Sequence, residues 1–366
     1  MSKLKVDKVS PRTGTYVSLN TVGMKNIVIN GDMSISQRHG TSSVTQNDNI
    51  YSVDRFGFYA SQSSKLTVQQ NAGSVTPPSG FKNYLGYTSS SAYTVGSSET
   101  FISVQVIEGY NVAYLDFGTA NAKSITLSFW VRSSLTGTFG GALRNADATR
   151  SYPFTYSISL ANTWEKKSIT FEGDTSGTWN TTNGYGLGLM FGLGVGSTLS
   201  STAGSWQSGA YYSATGATSL VGTNGATFYI TGVQLEAGTT ASDFEFLPVD
   251  VNLRRCQRYY EKSYTQATTP GTVTNDGRNM VFFSNTGSGY VGGFVKYVVT
   301  KRTTPTITIY APGNGASGDA DFYIFGSSST QASIVLNESN DVGFELYRNG
   351  TSCNAMAFHY QIVSEL

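Results

Sequence analysis

The chain has 366 residues and a net charge of +1, and only 13% of its residues are charged, against roughly 25% in typical soluble domains. A charge so close to zero argues against binding nucleic acid or anionic lipid through a broad electrostatic field. No apolar run approaches the roughly 20 residues that a membrane-spanning helix needs. Aromatic residues also make up 13%, which excludes a disordered chain, because disordered segments lack the apolar area that offsets ordering entropy.

Residues 1–23 are too few to bury a core, and they lack the apolar segment of a secretion signal. We interpret them as an extended arm, which is either a loose tail or a peptide that docks on a larger assembly. The only two cysteines, Cys256 and Cys353, do not form a disulfide framework. This composition is consistent with folding in a reducing cytoplasm.

Residues 24–248 consist of short alternating runs separated by clusters of Gly, Ser, Thr and Asn. Alternation with period two predicts strands with one buried face, and a series of such strands is typical of an antiparallel sandwich. The pattern predicts a jelly-roll, galactose-binding-like β-sandwich. The predicted strands are Lys25–Asn30, Arg55–Ala60, Lys65–Gln70, Thr100–Ile107, Ser124–Val131, Tyr152–Ser157, Lys166–Glu172, Tyr185–Val195 and Ala226–Leu235.

Residues 249–262 are predicted to form a short helix that links two β regions. Asp250 is a candidate N-cap. Leu253, Cys256 and Tyr260 recur at i, i+3 and i+7 and therefore share one helix face. We predict that this face is an oligomer interface, where copies of the chain meet around a symmetry axis. The basic residues beside it are too few to indicate nucleic-acid binding.

Residues 263–366 are predicted to form a second, smaller β-sandwich, so the fold class is all-β throughout. No internal repeat of fixed period indicates a solenoid or a propeller. The predicted strands are Asn279–Ser284, Tyr290–Val299, Thr306–Tyr310, Phe322–Phe325, Ser333–Leu336, Gly343–Tyr347 and Ala355–Val363.

The strand at 185–196 has the sequence YGLGLMFGLGVG, in which one face is apolar and the other is almost entirely glycine. Glycine weakens a strand, so a stripe of it marks close approach by another backbone or a ligand. Two interpretations remain open. The stripe is either a trough for a sugar chain or a neighbouring subunit, of which we favour the subunit, or a crowded strand where glycine avoids a clash.

Two tryptophans, Trp179 and Trp206, lie in polar loops, with Asn180, Tyr211 and Tyr212 nearby in the sequence. Aromatic rings can stack on the apolar face of a pyranose, while amide groups bind its hydroxyls. These five residues are therefore the predicted ligand-binding site. The alternative is that each tryptophan pins its loop to the sandwich.

Catalysis finds little support in the sequence. The two histidines, His39 and His359, have no metal-site spacing, and no nucleophile-elbow motif is present. The closely spaced carboxylates lie in loops rich in turn-forming residues, so turn chemistry explains them. We predict no catalytic residue, no metal site and no cofactor.

Several segments resemble bacteriophage tail-fibre and virion receptor-binding proteins: NIVINGDMSISQR at 26–38 followed by YSVDRF at 51–56, GVQLEAG at 232–238, and RRCQRYYEK at 254–262. The phrase TWEKKSITFEGD at 163–174 resembles sandwich-type carbohydrate-binding modules. Such modules often hold a structural calcium through an acidic residue on the final strand. Here that position has ITGV at 230–233, without an acid, which puts calcium in doubt.

The resemblance implies a virion fibre protein that binds host cell-surface glycans non-covalently. It implies assembly in the host cytoplasm and exposure on the particle surface, as a homotrimer anchored to other virion proteins through residues 1–23. Neither nucleic-acid binding nor membrane insertion is expected. The rival interpretations are a purely structural virion protein, such as a capsid decoration or tail connector, and a polysaccharide depolymerase.

Overall fold

The computed structural model describes residues 24–45, 50–283, 289–325, 329–349 and 352–366. In chain order, the strands in these ranges are β1 Val44–Thr45, β2 Ile50–Val53, β3 Phe56–Ala60, β4 Leu66–Gln70, β5 Leu85–Ser89, β6 Thr100–Glu108, β7 Ile125–Ser133, β8 Gly137–Arg144, β9 Arg150–Ile158, β10 Glu165–Phe171, β11 Tyr185–Val195, β12 Ser200–Ser201, β13 Gln207–Ser208, β14 Ser213–Ala214, β15 Thr227–Ala237, β16 Tyr260–Lys262, β17 Asn279–Phe282, β18 Val291–Lys296, β19 Thr306–Tyr310, β20 Asp319–Tyr323, β21 Thr330–Ser333, β22 Val335–Ser339, β23 Gly343–Arg348 and β24 Ala355–Val363.

The α-helix of the described residues is α1, Val249–Gln257, and short 3₁₀ turns lie at Ala72–Ser74, Gly109–Asn111, Ala113–Leu115 and Ser197–Leu199. No helix in the described part of the chain is long and apolar enough to cross a membrane. The predicted docking arm, residues 1–23, lies outside the described residues.

Two sheets form the first sandwich. Sheet 1 has the strand order β1-β4-β5-β15-β7-β10, and sheet 2 has the order β13-β9-β8-β11-β6-β3-β2. The sheets face each other across one apolar core. In this core the Phe129 ring of sheet 1 lies 5.1 Å from the Phe191 ring of sheet 2, and the rings of Phe58 and Tyr87 are 5.4 Å apart. Each strand buries one of its two faces, and the buried faces of sheet 1 and sheet 2 pack against each other.

The second β region is also layered. In sheet 3, β24 pairs with β16, β17, β19 and β20, and β21 extends the sheet beside β20. Sheet 4 has the order β18-β23-β22. The core between them joins Phe344 and Leu346 of sheet 4 to Phe322, Met356 and Phe358 of sheet 3. The predicted fold class, all-β with a jelly-roll sandwich, a short helix and a second smaller sandwich, is confirmed. The exact domain boundaries stay predictions.

The predicted strand Lys25–Asn30 is wrong, because this segment is irregular. It instead fills a β-bulge in β15, where the register shifts between Thr231 and Gln234. The Asn26 amide donates to the Val233 carbonyl at 3.1 Å and accepts from the Leu235 N–H at 3.1 Å. The Asn26 side chain therefore makes hydrogen bonds to β15 that the backbone of a paired strand would otherwise make.

The helix prediction is partly corrected. α1 begins after Pro248, so Asp250 lies in its first turn and is not the N-cap. The helix ends at Gln257, and Tyr260–Lys262 form β16, which pairs with Gln361–Val363 of β24. Backbone pairing to β24, which the local periodicity does not encode, outweighs the helical pattern at Tyr260.

Charged contacts hold the end of the chain against the first sandwich. Glu108, the last residue of β6, accepts hydrogen bonds from Arg258 at 2.6 and 2.8 Å and from the Tyr259 hydroxyl at 2.7 Å. Arg302 donates to the carbonyls of Asn183 and Glu365. These bonds bring Leu366 to the outer face of sheet 2, where it packs with residues of β6.

Candidate functional site

The outer face of sheet 2 carries a groove whose floor follows from strand register. In β6, Phe101 and Ile107 point into the core, while Ile102, Val104 and Val106 form a separate apolar cluster on the other face. Val104 pairs with Met190 of the neighbouring strand β11, which belongs to that cluster. The floor is therefore apolar, and it spans adjacent strands because side chains of one parity share one face.

Tyrosines line this floor. Tyr59 is on β3, Tyr185 opens β11, and Tyr212 lies just before β14. A Cβ at Gly188 would overlap with the Tyr185 hydroxyl, so glycine at this position makes room for the tyrosine side chain. The groove has a volume of about 300 Å³, and its remaining lining residues are Thr100, Arg144 and Leu366. Its size is within the range of small-ligand sites.

Arg144 places a positive charge in the groove. Its guanidinium carbon lies 4.5 Å from the centre of the Tyr212 ring. Burial opposes the charge on Arg144, but the nearby hydroxyls of Tyr185 and Tyr212 leave the pKa of the guanidinium raised. Burial also raises the pKa of the Tyr185 phenol, and Arg144 opposes this shift. Arg144 is therefore charged, and Tyr185 is neutral, at physiological pH.

The polar atoms of the groove have unused hydrogen-bonding capacity. Within the described part of the chain, Arg144 Nε, the Tyr185 hydroxyl and Thr100 Oγ1 are buried without a hydrogen-bond partner. A buried polar group without a partner costs about 1–3 kcal/mol. These atoms lie beneath the surface that water reaches, so a ligand hydroxyl would bond to them only after the Arg144 or Tyr185 side chain turns towards the groove. The apolar face of such a ligand would pack on the floor and the tyrosine rings. The arrangement suits non-covalent binding of a polar, ring-shaped ligand.

The predicted tryptophans do come together, at a different place. The Trp179 and Trp206 rings are 5.3 Å apart and nearly perpendicular, and Phe117 packs edge-on against both. Each indole N–H donates to a backbone carbonyl of its own chain, that of Ser176 or Glu172. Both rings are half-buried against the main core. These contacts pin loops to the sandwich, and sugar stacking by this pair stays a prediction.

The other predicted site residues are divided between locations. The Asn180 side chain accepts hydrogen bonds from the Thr182 N–H at 2.9 Å and the Thr182 hydroxyl at 3.1 Å, so it stabilises its own turn. The Tyr211 N–H donates to Ser151 Oγ on β9. Of the five, only Tyr212 lines the groove.

The glycine stripe is covered over most of its length by the same chain. A Cβ at Gly186 would lie 2.6 Å from Val112, one at Gly192 would lie 2.8 Å from Ser213, and one at Gly194 would lie 2.6 Å from Val221. The favoured interpretation, contact with a neighbouring subunit, is therefore wrong at these positions, and crowding explains them. The groove lies at the middle of this face, beside Gly188 and Met190.

The predicted oligomer interface is corrected in the same way. Cys256 is 0% exposed and Tyr260 is 1% exposed within a single chain. Cys256 packs with Ile29, Ile35 and Tyr259, and Leu253 lies half-buried at the edge of that cluster. The apolar face of α1 binds the start of the first sandwich, so Cys256 and Tyr260 have no surface left for another copy.

The two cysteines and His359 are enclosed by the fold. Cys256 and Cys353 are both buried as free thiols. The His359 ring stacks on Tyr264 at 3.8 Å, and burial lowers its pKa. Within the described ranges, no group of three or more His, Cys, Asp or Glu residues could hold a metal ion.

Sequence reasoning missed most of the groove. Tyr59, Arg144, Tyr185 and Met190 come from three strands, β3, β8 and β11, that only the fold brings together. One usable signal was present, because Gly188 and Met190 share the strand face that the glycine pattern had marked. The strand register of Tyr59 and Arg144 beside that face could not be read from local patterns.

No protein-family model matches this chain, and no curated protein matches it. Some solved structures resemble it in part. The enzymatically active domain of tailspike protein 4 from bacteriophage CBA120 is 12% identical, with a TM-score of 0.31 over 58% of this chain and 21% of that chain. A family 11 carbohydrate-binding module of a Clostridium thermocellum cellulosomal cellulase is 13% identical, with a TM-score of 0.27 over 55% of this chain and 98% of that chain.

A third structure is the carbohydrate-binding module TmCBM61 in complex with β-1,4-galactotriose. It is 8% identical, with a TM-score of 0.29 over 59% of this chain and 100% of that chain. The alignment with the tailspike domain spans about a fifth of that protein. At TM-scores between 0.27 and 0.31, these similarities assign no role to any residue of this chain.

Proposed function

We propose that this chain binds glycans non-covalently through the groove on the outer face of sheet 2. The observation that carries the proposal is a groove with an apolar floor, whose walls are tyrosine rings and the charged Arg144 side chain. Saccharide rings combine an apolar face with a rim of hydroxyls. The floor and tyrosine rings suit the face, and the arginine and phenol groups suit the rim.

The proposal includes a biological setting. We propose that the protein is a virion fibre protein, a homotrimer attached to the particle through residues 1–23, that contacts sugars on the host cell surface. The support for this setting is the resemblance of the segments at 26–38, 51–56, 232–238 and 254–262 to phage fibre proteins. Each groove would bind weakly, and several copies on one particle would multiply the avidity.

Replacing Arg144 with methionine tests the groove, because methionine keeps an apolar stem and removes the guanidinium. Hydrogen bonds to a charged group contribute about 1.5–3 kcal/mol, so we expect glycan affinity to fall roughly 10- to 100-fold. Gly188→Ala should also weaken binding, since the new methyl group displaces the Tyr185 hydroxyl. The measurement is a glycan array with purified full-length protein, followed by calorimetric titration with the best glycan.

Tyr110→Ala is the matched control, because Tyr110 is an exposed aromatic residue of the same sandwich that does not line the groove. It should bind like the unmodified protein. Loss of binding in Trp179→Ala or Trp206→Ala, with normal binding in Arg144→Met, would move the site to the tryptophan pair. Absence of binding to every glycan would contradict the proposal and favour a purely structural role.

The trimer has its own test. Multi-angle light scattering of the purified protein should give three times the chain mass of 39.2 kDa. A mass of one chain at micromolar concentration would contradict the trimer while leaving the groove proposal intact. Since Cys256 and Tyr260 are buried within one chain, Leu253→Asp, at the half-exposed edge of α1, should separate copies only if that edge takes part in the contact.

A further inference from the structure

We propose that the second β region carries a separate saccharide site on the outer face of sheet 4. The proposal rests on the proposed function only for its class of ligand, since its residues belong to other strands and another core. Tyr290, Gly292 and Tyr347 line an open groove of about 460 Å³, together with Asn337 and Glu345.

Register places these side chains together. Gly292 of β18 pairs with Tyr347 of β23, and Phe294 pairs with Glu345 two residues further along. Val291 and Leu346, which have the opposite parity, are buried in the core beneath. The outer face of the sheet therefore presents a row of aromatic and polar groups rather than the alternation of small polar residues usual on a solvated face.

The aromatic groups of this face are unusually exposed. Tyr290 is 70% exposed and Phe294 is 60% exposed, although their chain neighbours Val291 and Val295 pack in the core beneath the sheet. The Tyr290 and Tyr347 rings lie 5.4 Å apart at 60°, so together they form an angled wall. Exposed apolar groups that cluster on one face mark a binding surface more often than scattered ones do.

Glycine keeps the groove open between the rings. A Cβ at Gly292 would overlap with the Leu346 carbonyl oxygen and would lie 2.7 Å from Cβ of Tyr347, so any larger residue there would displace the backbone of β23 at the tyrosine. The neighbouring Gly293 faces the other way, where a Cβ would meet Val281 at 3.5 Å, an ordinary contact. Both glycines line the groove, but only Gly292 is sterically required.

A polar pair defines the ligand chemistry. The Asn337 amide donates to Glu345 Oε2 at 2.8 Å, and both exposed side chains line the groove. A carboxylate held in this way accepts well from sugar hydroxyls. The same negative charge disfavours sialic and uronic acids, since like charges at contact distance repel. The occupant that fits is a neutral saccharide, with one ring stacked on the tyrosine wall.

The test uses neutral and sialylated oligosaccharides on one array, with full-length protein. Arg144→Met removes most binding by the first groove. The remaining affinity of this variant for neutral oligosaccharides should fall about tenfold or more when Tyr290→Ala is added. Phe282→Ala, which removes an aromatic ring that is 65% exposed on β17 outside the groove, is the control and should change nothing. Glu345→Gln should admit sialylated oligosaccharides that the unmodified protein rejects.

Each outcome decides between the two sites. Loss of all binding in Arg144→Met would refute the second site and leave the first intact. Loss of all binding in Tyr290→Ala alone would place recognition in the second site and refute the first. If Arg144→Met with Tyr290→Ala bound neutral oligosaccharides as well as Arg144→Met alone, the inference would be overturned. A smaller mass of Tyr290→Ala in light scattering would also overturn it, because it would mean that Tyr290 contacts another copy of the chain.

Discussion

Replacing Lys301 with methionine should lower the free energy of unfolding by about 3–5 kcal/mol, the usual effect of breaking a buried ion pair by removing one partner. The Lys301 ammonium lies 2.6 Å from Glu261 Oε2, and both side chains are 0% exposed. Glu261 also accepts from the Val298 N–H and, at 3.0 Å, from the Tyr360 hydroxyl. Without Lys301, a charged carboxylate would remain buried with only neutral donors around it. Urea unfolding followed by circular dichroism measures the effect.

Two further variants establish the cause. Adding Glu261→Leu to Lys301→Met should restore much of the stability, because a pair of apolar residues removes the isolated charge. Lys123→Met removes a salt bridge of 3.2 Å to Asp116 that is half-exposed, and it should cost less than about 1 kcal/mol. If Lys301→Met proved no more damaging than Lys123→Met, the burial of this pair would not govern stability.

Phe191→Ala should destabilise the first sandwich by about 3–5 kcal/mol, the range for removing a large aromatic side chain from a core. Phe191 is buried at the centre of β11, with ring centres 5.1 Å from Phe129 and 6.3 Å from Phe154. The sheets on both sides are held by backbone pairing, so they cannot close over the space left behind. The measurement is the midpoint and slope of urea unfolding.

Phe282→Ala is the matched control for this prediction, because the same side chain is removed from an exposed position. It should change stability by less than about 0.5 kcal/mol. The Phe191 cavity should also weaken glycan binding, since the preceding residue, Met190, is part of the groove floor. A loss below about 1 kcal/mol in Phe191→Ala would mean that the core tolerates the cavity by repacking.

Strands with clear alternation were predicted closely. The predicted bounds Tyr185–Val195, Thr306–Tyr310 and Ala355–Val363 coincide with β11, β19 and β24. Each has a run of apolar residues with one parity, and burial of that face is enough to select an extended backbone. The strands β5 and β8 were missed. In β8, Gly140 and Gly141 interrupt the pattern, and only pairing on both sides, with β9 and β11, makes this segment a strand.

The fold class could likewise be predicted from local patterns, whereas the binding sites could not. Composition and alternation were sufficient to predict an all-β sandwich protein with little net charge, because burial of alternate residues is a local property that adjacent letters of the sequence record. The groove depends instead on which strands are neighbours and in what register. Arg144 meets Tyr185 because β8 and β11 pair at Arg144 and Gly188, and Cys256 is buried because the start of the first sandwich covers α1. Long-range pairing is a property of the whole chain, so these contacts became visible only in three dimensions.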